Sequence, residues 1–326
     1  MRKCLLWMLL LPLLTGCTAL PAEERAFAVV LAVAREGPEW RVSARIPTYQ
    51  SDSGYTTVTG FGDTLTAALA DLDDAAPMRL HLGQLRLVVL DAALGEAVLP
   101  SLRTLAALPD MRLAALAAVT QEDDVSLMAA MKPGSGTRLS KSLDVLAETR
   151  VEQGVIPLST LSAVVRMGKR QSPVLAGVEI REDAVELLGG WPVNAQGKLP
   201  QPLTAGEMQL LSLLQGRAKT LRLTEADAAE VREISAVTRL DGNAVHVQLK
   251  LRLVRGGQDA ESLEALLARR SLSLLTALYG DGCDVLGLGR QAVRSAQDAA
   301  KWRAMAWPKQ LDQLQWTVSV RVQPGT

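Results

Sequence analysis

The residue with the clearest chemistry in this sequence is Cys17, at the end of the segment Leu14-Thr15-Gly16-Cys17. Leucine, a small residue, glycine and cysteine form the pattern read by the bacterial lipoprotein-processing enzymes, which attach a diacylglyceryl group to the thiol. Arg2 and Lys3 precede a short apolar run, as in a secretory signal, and the run is shorter than the roughly 20 residues of a membrane-spanning helix. We expect residues 1–16 to be a lipoprotein signal peptide and Cys17 to carry two acyl chains that anchor the mature chain. The alternative is an ordinary secretory signal with a chance cysteine.

Few other residues could support catalysis. The two histidines, His81 and His246, are too few for the usual multi-histidine metal site. Of the three cysteines, Cys4 leaves with the signal and Cys17 carries lipid, so Cys283 has no intrachain disulfide partner and is expected to be a small buried residue. No hydrolase nucleophile motif or phosphate-binding loop occurs. The sequence therefore predicts no catalytic residue, no metal site and no cofactor.

One glycine-rich segment matches a relaxed dinucleotide-binding pattern, Gly287-Leu288-Gly289-Arg290-Gln291-Ala292. That pattern binds a dinucleotide when it joins a strand to a helix in a βαβ unit, whereas here it follows a long predicted helix. We expect a tight loop instead. Two acidic groups, Glu122-Asp123-Asp124 and the trio Asp71, Asp73 and Asp74, lack the spacing of a calcium loop and are expected to be solvated loop or helix-end charges.

The composition excludes some classes of function. Apolar residues make up 48% and charged residues 21% of the 326 residues, which is typical of a globular protein. The 35 basic and 35 acidic residues balance, and loss of Arg2 and Lys3 with the signal leaves a net charge of about −2. Without a basic excess the chain has no electrostatic footprint for nucleic acid. No apolar run of about 18 residues follows the signal, so membrane attachment would depend on the lipid alone.

The first half of the sequence alternates between predicted strands and helices. Trp40–Ile46 alternates apolar and polar residues, as in a half-buried strand, and Leu85–Leu90 is mostly apolar, as in a strand buried on both faces. Asp63 or Thr64 is expected to cap the helix that follows it. This alternation predicts a mixed α/β layer. The other predicted strands are Phe27–Ala34 and Met111–Val119. The other predicted helices are 124–131, 139–152 and 91–108, the last in one or two pieces because proline is tolerated best at the start of a helix and Pro100 lies within it.

Hairpins dominate the second half. Asp241-Gly242-Asn243 is a strong turn signal, and the strand after it alternates apolar and polar residues from Val245 to Leu253. Thr204 and Glu207 form a capping box at a helix start. Together these features predict an α+β unit with a curved antiparallel sheet packed against helices. The remaining predicted elements are a hairpin at 174–180 and 184–188, a helix at 262–279 and a last strand at 315–322.

The predicted fold class is α+β or mixed α/β, with several domains. Residues 17–160 form an N-terminal α/β domain, residues 161–216 a middle segment or domain, and residues 217–326 a C-terminal sheet-and-helix domain. The irregular stretch from Gly154 to Ser172 is the best linker.

Several short motifs of the C-terminal region follow one another in a fixed order. They are Asp284, Gly287-Leu288-Gly289, Trp302, Trp307-Pro308 and a strand that ends near Pro324-Gly325. This order resembles the C-terminal region of the Ger(x)C family, the lipoprotein C subunits of spore germinant receptors. Near the N-terminus, residues 62–69 (Gly-Asp-Thr-Leu-Thr-Ala-Ala-Leu) resemble the family's Gly-x-Thr-hydrophobic-x-x-Ala-hydrophobic segment.

The resemblance implies a non-enzymatic protein on the outer face of the spore's inner membrane. It would act with an A subunit and a polytopic B subunit in nutrient-triggered germination, and lipid anchoring would make weak contacts with them effectively intramolecular. The alternatives are a solute-binding lipoprotein of a transporter, which would have two similar lobes, and a lipid-anchored hydrolase, disfavoured by the missing motifs. The residues that we expect on the partner surface are Asp284, Gly287, Gly289, Arg290, Trp302 and Trp307.

Overall fold

The described part of the chain forms two units, each with its own sheet and hydrophobic core. The computed structural model describes residues 24–48, 54–133, 137–167, 171–218, 220–223, 229–255, 259–296, 298, 300, 302–303 and 306–324. The predictions for the signal segment and for Cys17 lie outside these residues. No helix within them is both long enough and apolar enough to cross a membrane.

The N-terminal unit is built on a seven-stranded mixed sheet. Its strands are β2 (Val30–Glu36), β3 (Glu39–Pro47), β4 (Tyr55–Gly62), β6 (Leu87–Asp91), β7 (Leu116–Thr120), β8 (Val174–Arg181) and β9 (Ala184–Pro192). In space they follow the order β4-β3-β2-β6-β7-β8-β9. The four central strands run parallel, and the outer strands pair antiparallel. A separate short parallel pair is formed by β1 (Arg25–Phe27) and β5 (Arg79–His81).

Helices cover both faces of this sheet. On one face lie α1 (Leu65–Ala75), α2 (Val98–Ala106) and α5 (Leu161–Arg166), and on the other lie α3 (Asp124–Ala130) and α4 (Leu139–Glu152). Strand β6 is buried on both faces, as its apolar run predicts. Val88 and Leu90 pack on the side of α1, α2 and α5, and Leu87 and Val89 pack on the side of α3 and α4. Thr64 caps α1 by accepting from the Ala67 N–H, so one of the two predicted caps is confirmed.

The C-terminal unit is a four-stranded sheet backed by helices. Its elements are α6 (Ala205–Leu214), β10 (Thr220–Leu223), β11 (Ala229–Asp241), β12 (Ala244–Arg255), α7 (Ala260–Gly280), α8 (Leu288–Ala296) and β13 (Gln315–Pro324). The capping box of Thr204 and Glu207 is present at the start of α6. The apolar residues of β12 from Val245 to Leu251 are buried, and the polar residues between them face outward.

The last strand is the one parallel member of the described C-terminal sheet, which is otherwise antiparallel as predicted. β10, β11 and β12 are antiparallel, but β13 runs parallel to β12. The chain passes through α7 and α8 on one face before it returns, and such a crossover brings the next strand back in the same direction. The fold is thus mixed α+β, with a C-terminal sheet that is mainly antiparallel.

The stretch that was predicted to be a linker is part of the N-terminal unit. Residues 161–166 form α5, and its Leu161 and Val164 are buried in the core. Strands β8 and β9 extend the seven-stranded sheet at β7, because the apolar run from Val174 to Val178 is buried there. Residues 161–216 therefore do not form a separate middle domain. Their hairpin joins the N-terminal sheet, and α6 packs in the C-terminal core.

One local prediction also changes. The strand predicted from Met111 begins only at Leu116, because turn hydrogen bonds such as Ala115 N–H to the Arg112 carbonyl precede it. The helical stretch predicted at 91–108 forms in two pieces, as the sequence allowed: a 3₁₀ segment at Ala92–Ala97 is followed by α2.

Helix α1 packs on β4 through glycines. A Cβ on Gly62 would lie 2.6 Å from the backbone nitrogen of Ala68, and one on Gly60 would overlap the backbone of Leu72. Neither neighbour is a flexible side-chain end that could move aside. The Gly62–Leu69 segment therefore brings strand and helix into backbone contact.

Candidate functional site

Asp284 lies at the centre of a buried hydrogen-bond network between α7 and α8. Only 3% of its surface is exposed. Its Oδ1 accepts from the Tyr279 hydroxyl and the Leu288 N–H, both at 2.7 Å. Its Oδ2 accepts from the Gly289 N–H at 2.7 Å and from Nε1 of Trp307 at 3.2 Å. Four donors thus satisfy a carboxylate whose removal from water would otherwise be costly.

The local sequence explains this position of Asp284. The first N–H groups of α8 have no partner within the helix, and the helix dipole favours a negative charge there. Gly287 has a φ of 71°, which lets the chain turn back so that the Leu288 and Gly289 N–H groups meet the carboxylate. A dinucleotide phosphate would need these same N–H groups, so their occupation by Asp284 agrees with the expected tight loop.

Burial raises the pKa values of two residues close to Asp284, Tyr279 and Cys283. Burial, and next the charge of Asp284, raise the pKa of Tyr279 well above its usual range. The Tyr279 hydroxyl also accepts from the Leu286 N–H at 3.1 Å. Burial, followed by the charge of Asp281, raises the pKa of Cys283 to about 12. Because the thiolate is the reactive form of cysteine, Cys283 is expected to be inert at neutral pH, as predicted for a buried residue.

The loop between α7 and α8, which contains Asp284, also joins the C-terminal unit to the N-terminal unit. The Asp284 N–H donates to the Ser172 hydroxyl at 2.9 Å, and the Ser172 N–H donates to the Asp284 carbonyl at 2.9 Å. The Gln171 side chain donates to the Val285 carbonyl at 3.3 Å, and that of Asn194 donates to the Asp281 carbonyl at 3.2 Å. The network therefore fixes the α7–α8 loop against the start of β8.

The structure corrects most of the expected partner surface. Asp284, Gly287, Gly289 and Trp307 are buried, because they build the internal network instead of facing solvent. Arg290 is exposed, and Nη2 of its guanidinium donates to the Gln171 Oε1 at 2.5 Å. Trp302 is half-buried against the C-terminal core. Of the six residues, only these last two remain available to a partner.

The histidines do not come together. The His81 ring packs against Phe27 with ring centroids 5.2 Å apart, and its Nε2 lies 3.9 Å from the Asp110 carboxylate. His246 is exposed on β12, as its position on the polar strand face predicts. Across the part of the chain that the structure covers, no three His, Cys, Asp or Glu residues are grouped so as to hold a metal ion.

One buried charged network was missed from the sequence. Asp124, 5% exposed, forms an ion pair with Arg41 and accepts from the Ser43 hydroxyl at 2.7 Å. It joins α3 to β3, so the prediction of a solvated Asp124 is wrong. Its neighbour Asp123 caps α3 by accepting from the Ser126 N–H at 3.0 Å. The sequence indicates that Asp124 lies at the start of a helix. It does not indicate the ion pair, because Arg41 lies 83 residues away in the sequence.

Comparisons with known proteins agree with this architecture. Residues 19–180 match the family described as the spore germination protein N-terminal domain. The fold is similar to a solved structure, the crystal structure of the GerBC protein, with a TM-score of 0.56 and 12% sequence identity over 90% of this chain and 96% of that chain. No curated protein sequence gives a significant match. With a germination domain in its N-terminal half and this fold over nearly its whole length, the chain belongs to the Ger(x)C family of spore germination proteins.

Proposed function

We propose that the chain is the lipid-anchored C subunit of a nutrient germinant receptor and that it acts by assembly with membrane subunits A and B. The observation that carries this proposal is the match of residues 19–180 to the spore germination domain. The chain's own contribution would be structural, because assembly requires surfaces and an anchor and no bond-breaking step.

Anchoring at the membrane would come from Cys17. A diacylglyceryl group on its thiol would hold the two units on the outer face of the spore's inner membrane. Tethering raises the effective concentration of the units near the A and B subunits, so contacts that are weak in solution can hold the complex together. The proposed lipid anchor would therefore contribute directly to assembly of the receptor.

The partner surface would include Arg290 and Trp302 on the C-terminal unit. Arg290 presents an exposed guanidinium at the start of α8, and Trp302 is partly accessible. Arginine and tryptophan are enriched among the residues that contribute most to protein interfaces. The buried Asp284 network would support this surface by holding the start of α8 against the N-terminal unit.

The solute-binding alternative fits the fold less well. A transporter's binding lipoprotein was expected to have two similar lobes. The two units here differ, since one has a seven-stranded mixed sheet with helices on both faces and the other a four-stranded sheet. We therefore retain the receptor subunit as the proposal.

Spore germination provides the direct test. Spores that lack the chain should fail to respond to at least one nutrient in a panel of amino acids and sugars, and the wild-type chain should restore that response. Cys17→Ser should restore it poorly, because the anchor is lost, whereas Cys283→Ala should restore it fully. Normal germination of the deleted spores on every nutrient would contradict the proposal.

A further inference from the structure

The outer face of the C-terminal sheet carries cations that have no ion-pair partner among the residues that the structure describes. This face consists of the outward residues of β11, β12 and β13, which are exposed because the helices pack on the opposite face. Cross-strand neighbours form three successive rows along it. They are Arg239–His246–Thr317, Val237–Gln248–Ser319 and Ser235–Lys250–Arg321.

Charges are distributed unevenly on this face. Further along the sheet, Arg232 forms an ion pair with Glu230 at 2.8 Å, and Arg252 forms one with Glu233 at 2.9 Å. Over the chain as described, by contrast, no carboxylate lies within ion-pair distance of Arg239, Lys250 or Arg321. Lys250 and Arg321 stand directly opposite each other on β12 and β13. Like charges in directly opposed positions are destabilising, so this arrangement costs folding free energy unless an anion is present.

A small cavity lies over the Arg239–His246–Thr317 row and the Val237–Gln248–Ser319 row, next to the row that holds Lys250 and Arg321. It has a volume of about 230 Å³, and the residues around it include Arg239, His246, Gln248, Thr317 and Ser319. No carboxylate is among its lining residues. The Ser319 hydroxyl makes only a long bond of 3.5 Å to the Val247 carbonyl, which it could exchange for a better acceptor.

The geometry points to a binding site for a phosphate group in this cavity. Adjacent residues of a strand are about 3.3 Å apart, and neighbouring rows are two residues apart along the strand. A group bound at the Gln248–Ser319 row therefore lies about 7 Å along the strand from the row of Arg239 and about 7 Å from the row of Lys250 and Arg321. The guanidinium of Arg239 matches phosphate oxygens in two-point hydrogen bonding. The Gln248 amide and the Thr317 and Ser319 hydroxyls supply further donors, and Lys250 with Arg321 supplies charge. The phosphate could belong to a soluble molecule or to a lipid headgroup.

Calorimetric titration of the full-length chain in neutral detergent at low salt tests this site. One arm uses inorganic phosphate, and the other uses micelles that contain phosphatidylglycerol, with micelles of the neutral detergent alone, which carry no phosphate group, as the blank. Arg239→Gln should weaken binding by about tenfold or more, since it removes a charged hydrogen-bonding partner. The matched variant Arg232→Gln lies on the same face but already pairs with Glu230, so it should change the affinity by less than about twofold.

Saturable binding of inorganic phosphate that Arg239→Gln weakens and Arg232→Gln does not would support the site and a soluble source. The same pattern with phosphatidylglycerol alone would support the site and a lipid source. Absence of binding in both arms would overturn the inference. Equal weakening by the two variants would overturn it too, because it would indicate a diffuse charge effect. Thermal unfolding of both variants near the wild-type temperature verifies that they are folded.

Discussion

The indole Nε1 of Trp307 donates a 3.2 Å hydrogen bond to the Oδ2 of Asp284, which joins two parts of the C-terminal unit that are 23 residues apart. Oδ1 of the same carboxylate holds the Tyr279 hydroxyl at the end of α7. Asp284 therefore connects α7, the start of α8 and the segment before β13. Four of the six residues that were expected on a partner surface, Asp284, Gly287, Gly289 and Trp307, are instead buried in or beside this network.

Asp284→Asn should destabilise the chain by about 3 kcal/mol. The amide keeps the shape but replaces one acceptor oxygen with an NH₂ group that faces protein donors, so buried donors lose their partner. Urea unfolding measures the difference. Asp281→Asn is the control, because Asp281 is exposed nearby, and it should have little effect. Equal stability of Asp284→Asn and the wild type would contradict the network's structural role.

Asp123 and Asp124 are adjacent but should differ sharply on mutation. Asp124→Ala leaves the half-buried Arg41 with the exposed Glu36 as its remaining ion-pair partner and removes an acceptor of the Ser43 hydroxyl, so it should cost about 3 kcal/mol. Asp123→Ala removes only a helix cap and should cost about 1 kcal/mol. Chemical denaturation of both variants compares them. Similar losses would show that Asp124 does not anchor α3 to the sheet.

Gly62→Ala should cost about 2 kcal/mol, because the added methyl group would press on the backbone of α1. Gly280→Ala is the matched control, since a Cβ there meets no atom within 4 Å and its φ is not positive. Thermal unfolding of the two variants separates crowding from the general effect of replacing glycine. A Gly62→Ala variant as stable as the wild type would contradict the close strand–helix packing.

Stability should fall above about pH 9, the ordinary pKa of a thiol, because the unfolded chain then loses a proton from Cys283 that the folded chain retains up to about pH 12. The folded pKa is raised, so this contribution is complete below pH 9 and decreases as the pH rises. Urea unfolding at about pH 8 and about pH 10.5 measures the slope. Cys283→Ala should reduce it, and an unchanged slope would contradict the burial of the thiol.

Lys250→Glu should stabilise the unliganded chain by about 0.5 kcal/mol, because it converts an opposed pair of cations into an ion pair with Arg321. Denaturant unfolding without phosphate measures this gain. Lys309→Glu, at an exposed position outside the α-helices and strands, controls for the change in net charge. A loss of stability at position 250 would mean that Lys250 and Arg321 do not repel each other.

Local chemistry accounts for the parts of the fold that the sequence predicts. The Thr64 cap, the capping box of Thr204 with Glu207 and the Asp241-Gly242-Asn243 turn depend on residues within a few positions of one another. The alternation in β12 likewise reports directly which residues face the core.

Long-range pairing accounts for the parts that the sequence does not predict. Ser172 meets Asp284 across 112 residues, and nothing near Ser172 in the sequence indicates it. Trp307 is buried in the C-terminal core and bonded to Asp284, 23 residues away, so its burial could not be judged from local composition. The parallel direction of β13 depends on the path of α7 and α8 between the strands. These contacts decide which of the six expected surface residues remain accessible.

The most direct test of the central claim is affinity purification of the tagged, lipidated chain from spore membranes, followed by mass spectrometry. We predict recovery of a polytopic membrane subunit and a second integral germination subunit, reduced in a variant with Arg290→Ala and Trp302→Ala and unchanged by Lys141→Ala. Unreduced recovery would reject Arg290 and Trp302 as the partner surface. Recovery of an ATP-driven transporter, or of no membrane partner despite a good yield of the chain, would contradict the receptor-subunit proposal.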